Sequence, residues 1–301
     1  MILKTDNRLR TVLALVLAVS GCGDSSGSGD GIPLVVATTS IWGDLVAEVV
    51  GDNAAVEVLI PRGTDPHDFR PSSRQVARMH DAALVVANGL GLEQGLEGTL
   101  EAAIDDGVTV LYLGDFITPR LLDDSGVPDP HFWTDPVVVA ESLVGLTDAL
   151  TRRVDLPPAT WIDAADELRS RLRSLDATLS SITGSIAAER RRLVTTHDSL
   201  GYFADRYDFE IVGVIVSGTS TLASPSAADL GRLIEVAQEE SVAAVFVDEG
   251  RFEALGEALA AAVGARLVPI VVGSLGEEGS DRDSYFGLML GLGETMREAL
   301  G

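Results

Sequence analysis

Residues 157–191 read PPATWIDAADELRSRLRSLDATLSSITGSIAAERR. After Pro157-Pro158, the side chains Leu168, Leu172, Leu175, Leu179 and Ile182 recur at spacings of three and four, the period of one helix face. The spacing predicts a single helix over Ala159 to Arg191, about 30 residues where 11 to 12 is usual, with Gly184 weakening its last turns. On either side of it the pattern changes. Toward the N-terminus, apolar runs at Leu34 to Thr38, Val56 to Ile60, Ala83 to Ala87 and Val108 to Leu113 alternate with helical patterns at Trp42 to Val50, Ser73 to His80 and Leu92 to Ile104, with a fourth helix after Pro136. Toward the C-terminus, runs at Leu193 to Thr196, Glu210 to Val216, Ala243 to Val247 and Arg266 to Val271 alternate with helices at Ser199 to Tyr207, Ser226 to Glu239, Arg251 to Val263 and Asp283 to Leu300. Ser224-Pro225-Ser226 has the form of a capped helix start. Strands that are continuously apolar rather than alternating predict parallel sheets covered on both faces. The expected fold class is α/β: two similar lobes, 32–156 and 192–301, each a mainly parallel sheet flanked by helices, joined by one long rigid helix within 157–191. No sequence repeat relates the lobes. Such a pair leaves a cleft between them, and open α/β sheets take ligands beyond the carboxyl ends of their strands.

Composition narrows the partners. The chain has 301 residues and a formal net charge of −24, from 22 Lys and Arg against 46 Asp and Glu. Nucleic acid is excluded as a partner, because binding it needs a basic stripe. At 46% hydrophobic residues the chain can bury real cores, which excludes disorder throughout. The only cysteine, Cys22, rules out an intrachain disulfide and a cysteine-based zinc site. Lys4, Arg8 and Arg10 precede the apolar run Thr11 to Val19, so residues 1–21 are expected to be a signal peptide. That run is about half of the roughly 20 residues that span a bilayer. Val19-Ser20-Gly21-Cys22 resembles the bacterial lipobox, in which the cysteine is lipidated and becomes the mature N-terminus. Residues 22–31, small and polar after Cys22, suit a flexible tether. The expected location is extracytoplasmic, with the chain lipid-anchored through Cys22 to the membrane, in a periplasm or on the outer face of a single-membrane envelope.

Four histidines, His67, His80, His131 and His197, carry most of the functional information. Two share one local frame, Asp65-Pro66-His67-Asp68-Phe69 and Asp129-Pro130-His131-Phe132-Trp133. Proline fixes its own φ and pushes the preceding Asp toward an extended conformation, so each imidazole projects from a stiff loop. A nearby Asp can also take the proton of the ring nitrogen that does not bind metal. His197, in Thr195-Thr196-His197-Asp198-Ser199, falls where a strand gives way to a helix, the position at which such a sheet presents residues to a ligand. Each has a plainer reading: an Asp-Pro-His turn with an exposed imidazole, or a helix-start histidine bonded locally. His80, beside Arg78 and Asp81, is expected to be a solvated helix-end residue.

The order Asp65-Pro66-His67, Asp129-Pro130-His131-Phe132-Trp133-Thr134-Asp135-Pro136, His197-Asp198-Ser199-Leu200-Gly201-Tyr202-Phe203, Ser224-Pro225-Ser226-Ala227-Ala228-Asp229-Leu230 and Asp283-Ser284-Tyr285 resembles the metal-receptor lipoproteins of bacterial zinc and manganese ABC importers. The resemblance covers roughly residues 33 to 300. It implies one divalent ion in the cleft between the lobes, with His67 and His131 as N-lobe ligands, His197 as the third and Asp283 as the fourth. Asp283 is preferred over Asp281 because Asp-Ser-Tyr matches the motif; a carboxylate at a helix start can also be a simple cap. Asp248-Glu249 follows a strand where such receptors often carry a cleft acid, but Gly250-Arg251 departs from the pattern and leaves their role open.

Three imidazoles and one carboxylate suit tetrahedral Zn²⁺, whereas Mn²⁺ prefers more oxygen. Manganese receptors of this type commonly carry Glu in place of the third histidine, so His197 favours zinc, with manganese the alternative. Against zinc, the span that includes Phe116 to Pro128 lacks the His-rich loop of many zinc receptors. The implied function is capture of the ion and its delivery to an ABC permease by a monomer, with affinity falling as pH drops through the histidine range near 6.5. A metal-binding adhesin or chaperone-like role and, from another class, an extracellular zinc hydrolase remain as alternatives. A hydrolase needs an open coordination position and a base nearby; the chain has no His-Glu-x-x-His, and a fourth ligand would close the site.

Overall fold

Among the described residues, eight short strands and nine α-helices follow one another, mostly in alternation. In the first half, β1 (Leu34–Ala37), α1 (Ser40–Val50), β2 (Ala55–Val58), α2 (Ser73–His80), β3 (Leu84–Ala87), α3 (Glu97–Asp105), β4 (Val110–Tyr112) and α4 (Pro136–Arg153) follow one another. The long helix α5 (Pro158–Gly184) leads into β5 (Arg192–His197), α6 (Gly201–Tyr207), β6 (Glu210–Val216), α7 (Ala227–Glu239), β7 (Ala244–Asp248), α8 (Glu253–Val263), β8 (Arg266–Ile270) and α9 (Tyr285–Leu300). This computed structural model describes residues 32–122, 126–216, 226–249 and 253–301. The expected signal peptide, Cys22 and tether, and the Ser224-Pro225 pair, lie outside the described residues.

Each half forms a four-stranded, wholly parallel sheet, ordered β2-β1-β3-β4 in one lobe and β6-β5-β7-β8 in the other. The two sheets therefore share one topology although no repeat is visible in the sequence. In each, the order reverses between two central strands, β1 and β3 or β5 and β7, which is where an open sheet offers a crevice at its carboxyl edge. Of the apolar strands expected from the sequence, the central ones are buried, Val35, Val36 and Ala37 of β1, all of β3, and Ala244 to Val247 of β7, while the edge strands β2 and β8 are partly exposed.

The helix α5 stops at Gly184 rather than running to Arg191. Glycine there disfavours another turn, and Ala187 is already extended, at φ −58° and ψ 138°. Its buried stripe, Trp161, Ala165, Leu168, Leu172, Leu175 and Leu179, packs against α1 and α4 of one lobe and α6 and α9 of the other. A single apolar cluster thus continues from Val35 and Trp42 through α5 to Tyr285 and Leu300. Ion pairs tie the same helix to its neighbours, Arg171 to Glu48 at 2.6 Å and Arg206 to Asp176 at 2.6 Å. Three other helices begin later than expected, among them α6, at Gly201 rather than Ser199. The α3 helix starts at Glu97 rather than Leu92, because Gly89, Leu90 and Gly91 take positive φ and turn the chain after β3. Ser284 caps α9 by accepting from the Gly287 N–H, which puts Asp283 ahead of the helix.

Hydrogen bonds sew the lobes together beside the cleft. Trp133 Nε1 donates to the Val272 carbonyl at 3.0 Å, and the Tyr285 hydroxyl donates to the Trp133 carbonyl at 2.7 Å. Gly63 N–H donates to Ser274 Oγ at 2.8 Å, and Arg62 Nη1 reaches the carbonyls of Gly276 and Asp283 at 2.7 and 2.8 Å.

Candidate metal centre

Three loops or strand ends bring His67, His131 and His197 to one buried point. After β2, the Asp65 carboxylate accepts the His67 N–H at 2.9 Å, closing the turn that Pro66 stiffens. After β4, Asp129 accepts both the His131 N–H at 3.0 Å and His131 Nδ1 at 2.7 Å. Its other oxygen receives Arg120 Nη1 at 3.2 Å. The Asn88 amide donates to the Pro130 carbonyl at 2.9 Å, tying that loop to the end of β3. His197 is the last residue of β5, and its carbonyl accepts from the Thr195 hydroxyl at 2.8 Å.

The spacing is that of a chelate. His131 Nε2 lies 3.3 Å from His67 Nε2 and 3.0 Å from His197 Nε2, and the three donor atoms all lie within 4.8 Å of one another. Donors about 2.0 to 2.1 Å from a tetrahedral zinc stand roughly 3.3 Å apart. Asp129 holds the Nδ1 proton of His131, so its Nε2 faces the others as a lone pair. His67 Nδ1 and His197 Nδ1 are buried without a hydrogen-bond partner. The sequence frame suggested that Asp65 would serve His67 as Asp129 serves His131. Instead Asp65 Oδ1 takes the backbone N–H of His67, and the ring nitrogen is left alone. Among the described residues this is the one group of three or more His, Cys, Asp or Glu donors close enough to share an ion.

Burial keeps two of the rings neutral. It pushes His67 down to about 3, with the neighbouring His131 adding to the effect, and lowers His197 well below the ordinary imidazole range, with His131 and His67 adding. Both are therefore in the metal-binding form at neutral pH. For these two, proton competition begins below the window near 6.5 expected from a free imidazole.

A cavity of about 390 Å³ opens onto the three rings, lined also by Arg62, Asp65, Trp133, Asp248, Glu249 and the segment Ile270 to Glu277. Asp283 is not among its lining residues: its Oδ2 accepts the Gly279 N–H at 3.0 Å. Asp281 is exposed. His80 is exposed at the end of α2, 3.9 Å from Asp106, as expected of a helix-end residue. Asp248 and Glu249 both line the cavity.

The sequence reading did not reach the polar frame behind the site. Glu93, buried, accepts from the Thr38 hydroxyl at 2.7 Å and from the N–H groups of Asn88 and Gly89 at 2.7 and 3.1 Å. Burial raises its pKa, and those hydrogen bonds oppose the rise. The local signal, Asn88-Gly89 at a strand end, marks a turn but does not name its tertiary partners. Gly95 supports His67 more directly, since its N–H donates to the His67 carbonyl at 3.1 Å and a Cβ there would overlap the Phe69 carbonyl. Gly95→Ala is expected to destabilise the protein by about 1 to 3 kcal/mol through overpacking and to loosen zinc binding by displacing the His67 loop. Urea unfolding beside a zinc titration checks both; wild-type values in each would show that the loop yields without moving His67.

Known proteins match nearly the whole described chain. The family model for ZnuA, the periplasmic component A of zinc-uptake complexes, matches residues 35–299. The manganese-binding lipoprotein MntA of Halalkalibacterium halodurans is 26% identical over 280 residues, 92% of each chain. The zinc-binding protein TroA of Treponema pallidum is 28% identical over 286 residues, again 92% of each. The solved TroA structure superposes with a TM-score of 0.83 at 26% identity, covering 90% of this chain and 100% of that one. The hydrolase alternative falls with this match, because the family consists of solute-binding proteins and not enzymes. Two parallel-sheet lobes on one long helix, a buried trio of imidazoles between them and a family match across the same residues lead to one conclusion: the chain belongs to the ZnuA family, the extracytoplasmic divalent-metal receptors of ABC importers.

Proposed function

We propose that this protein is a zinc receptor, lipid-anchored through Cys22 outside the cytoplasm, that binds one ion and hands it as a monomer to its ABC permease. The observation that carries the choice of ion is the nitrogen-rich donor set, with His131 Nε2 at 3.3 and 3.0 Å from the other two imidazole nitrogens. Imidazoles at this spacing favour a borderline ion in tetrahedral geometry, whereas Mn²⁺ gains from additional oxygen. Similarity to named relatives does not separate the two ions, since the manganese-binding and zinc-binding relatives lie at 26% and 28% identity.

The test is calorimetric titration of the metal-stripped protein with Zn²⁺ and then Mn²⁺, beside His197→Ala. Tight one-to-one zinc binding, weaker manganese binding and loss of the zinc signal in the variant are expected. Tighter Mn²⁺ would overturn the ion while leaving the receptor; binding of neither ion would overturn the site.

A further inference from the structure

We infer that Asp248 is the fourth protein donor to the ion held by His67, His131 and His197, an inference that rests on the metal-receptor reading above. Four acidic residues line the cavity: Asp65, Asp248, Glu249 and Glu277. Asp65 Oδ1 already accepts the His67 N–H. Glu249 is exposed and 3.7 Å from Arg282, and Glu277 is exposed. Asp248 differs from these, because its Oδ1 is buried and has no hydrogen-bond partner. A buried carboxylate oxygen in that condition carries an uncompensated desolvation penalty, which a cation at the three nitrogens would relieve.

The sheet places it there. Thr195 of β5 pairs with Phe246 of β7, and two residues further along each strand stand His197 and Asp248, on the same face by the two-residue period of a strand. These are the carboxyl ends of the two central strands between which the sheet order reverses. The Asp248 N–H donates to Thr196 Oγ1 at 3.2 Å, which fixes the end of β7 against β5. The Asp248 oxygens stand outside the tight group formed by the three nitrogens. Coordination by Asp248 therefore requires rotation about its two side-chain bonds. The remaining candidate, Asp283, has its Oδ2 on the Gly279 N–H and does not line the cavity.

Asp248 held through one oxygen completes an N₃O tetrahedron suited to zinc; held through both, it gives the five-coordinate site that a more oxygen-demanding ion would accept. The same residue is thus placed to set selectivity as well as affinity.

The experiment compares the full chain, stripped of metal, with Asp248→Asn, Asp283→Asn and His197→Ala, titrated with Zn²⁺ and with Co²⁺ followed by visible absorption. Loss of an outer partner costs about 10 to 100-fold in affinity. Asp248→Asn is therefore expected to weaken zinc by more than about 100-fold and to change the Co²⁺ band pattern, with Asp283→Asn near wild type in both. An Asp248→Asn protein with the wild-type Co²⁺ spectrum and a loss of 100-fold or less overturns the assignment, as does a larger loss in Asp283→Asn. Absence of metal binding by the wild-type chain is a different result, since it removes the receptor reading itself. Circular dichroism melting of the stripped variants separates a folding defect from a lost donor; if Asp248→Asn is unfolded, Asp248→Glu, which keeps the charge on a longer arm, must restore at least part of the zinc affinity for the assignment to stand.

Discussion

Replacing His131 by Ala is expected to lower zinc affinity by at least about 100-fold, more than any other single histidine change. Structural zinc sites bind with roughly 10 to 16 kcal/mol, which over four donors is about 3 kcal/mol, or about 100-fold, for each. His131 should exceed that share because it is the hub of the trio: its Nε2 is 3.3 Å from one partner and 3.0 Å from the other. The substitution also leaves the Asp129 carboxylate without the Nδ1 proton it holds at 2.7 Å. The carboxylate keeps the backbone N–H of residue 131 and Arg120, so unfolding of the metal-free variant should show a second loss of about 1.5 to 3 kcal/mol, that of one hydrogen bond to a charged group. Zinc titration against a competing chelator is the decisive measurement. A variant within tenfold of wild type would mean that His131 only buttresses the other rings.

Asp129→Ala should reverse that balance, with the larger effect on folding. Asp129 is completely buried and accepts from the His131 backbone, the His131 ring and Arg120. Burial alone would raise its pKa, but the hydrogen bonds and charge of His131, and Arg120, hold it below the usual carboxylate range. Removing one partner of a buried ion pair costs about 3 to 5 kcal/mol; the low end applies here, because Arg120 is partly exposed and keeps a second partner, Asp205, at 2.9 Å. Zinc affinity should fall by about 10 to 100-fold, as His131 loses the group that orients its ring. The urea midpoint of the metal-free protein reads the first effect and titration the second. A midpoint shift worth less than about 1 kcal/mol would mean that water replaces the carboxylate without penalty.

The elements and the three histidines were legible because both are local signals. The Leu168 to Ile182 stripe has a helical period, the strands are apolar runs, and the repeated Asp-Pro-His frame sets its imidazole on a stiff turn. The acid that shares their cavity was not legible in the same way. Asp283 stood out through its resemblance to a motif, yet its carboxylate closes a local turn with Gly279. Asp248 was visible as an acid at a strand end, but its nearness to His197 depends on which strand lies beside β5, a pairing made across about 50 residues of chain. Glu93 and Asn88 were hidden for the same reason, since their hydrogen bonds join separate strand ends and a loop. Helix ends moved by several residues wherever side-chain caps or glycine, rather than apolar period, decided them, as at Gly184 and Ser284.

The division of the donors between the lobes bears on how the ion leaves. His67 and His131 belong to the first sheet's loops, braced by Asp65, Asp129 and Asn88 within that lobe, while His197 rides on β5 of the second. A chelate is a multivalent bond in miniature, whose strength comes from the high effective concentration of each donor once another is attached. Prising β5 away by an ångström or two leaves a two-armed remnant, and the ion's residence time shortens without protonation of any ligand. Opening of the seam held by contacts such as Trp133 to Val272 and Gly63 to Ser274 is thus a way to weaken the chelate that needs no change in the protonation of its donors.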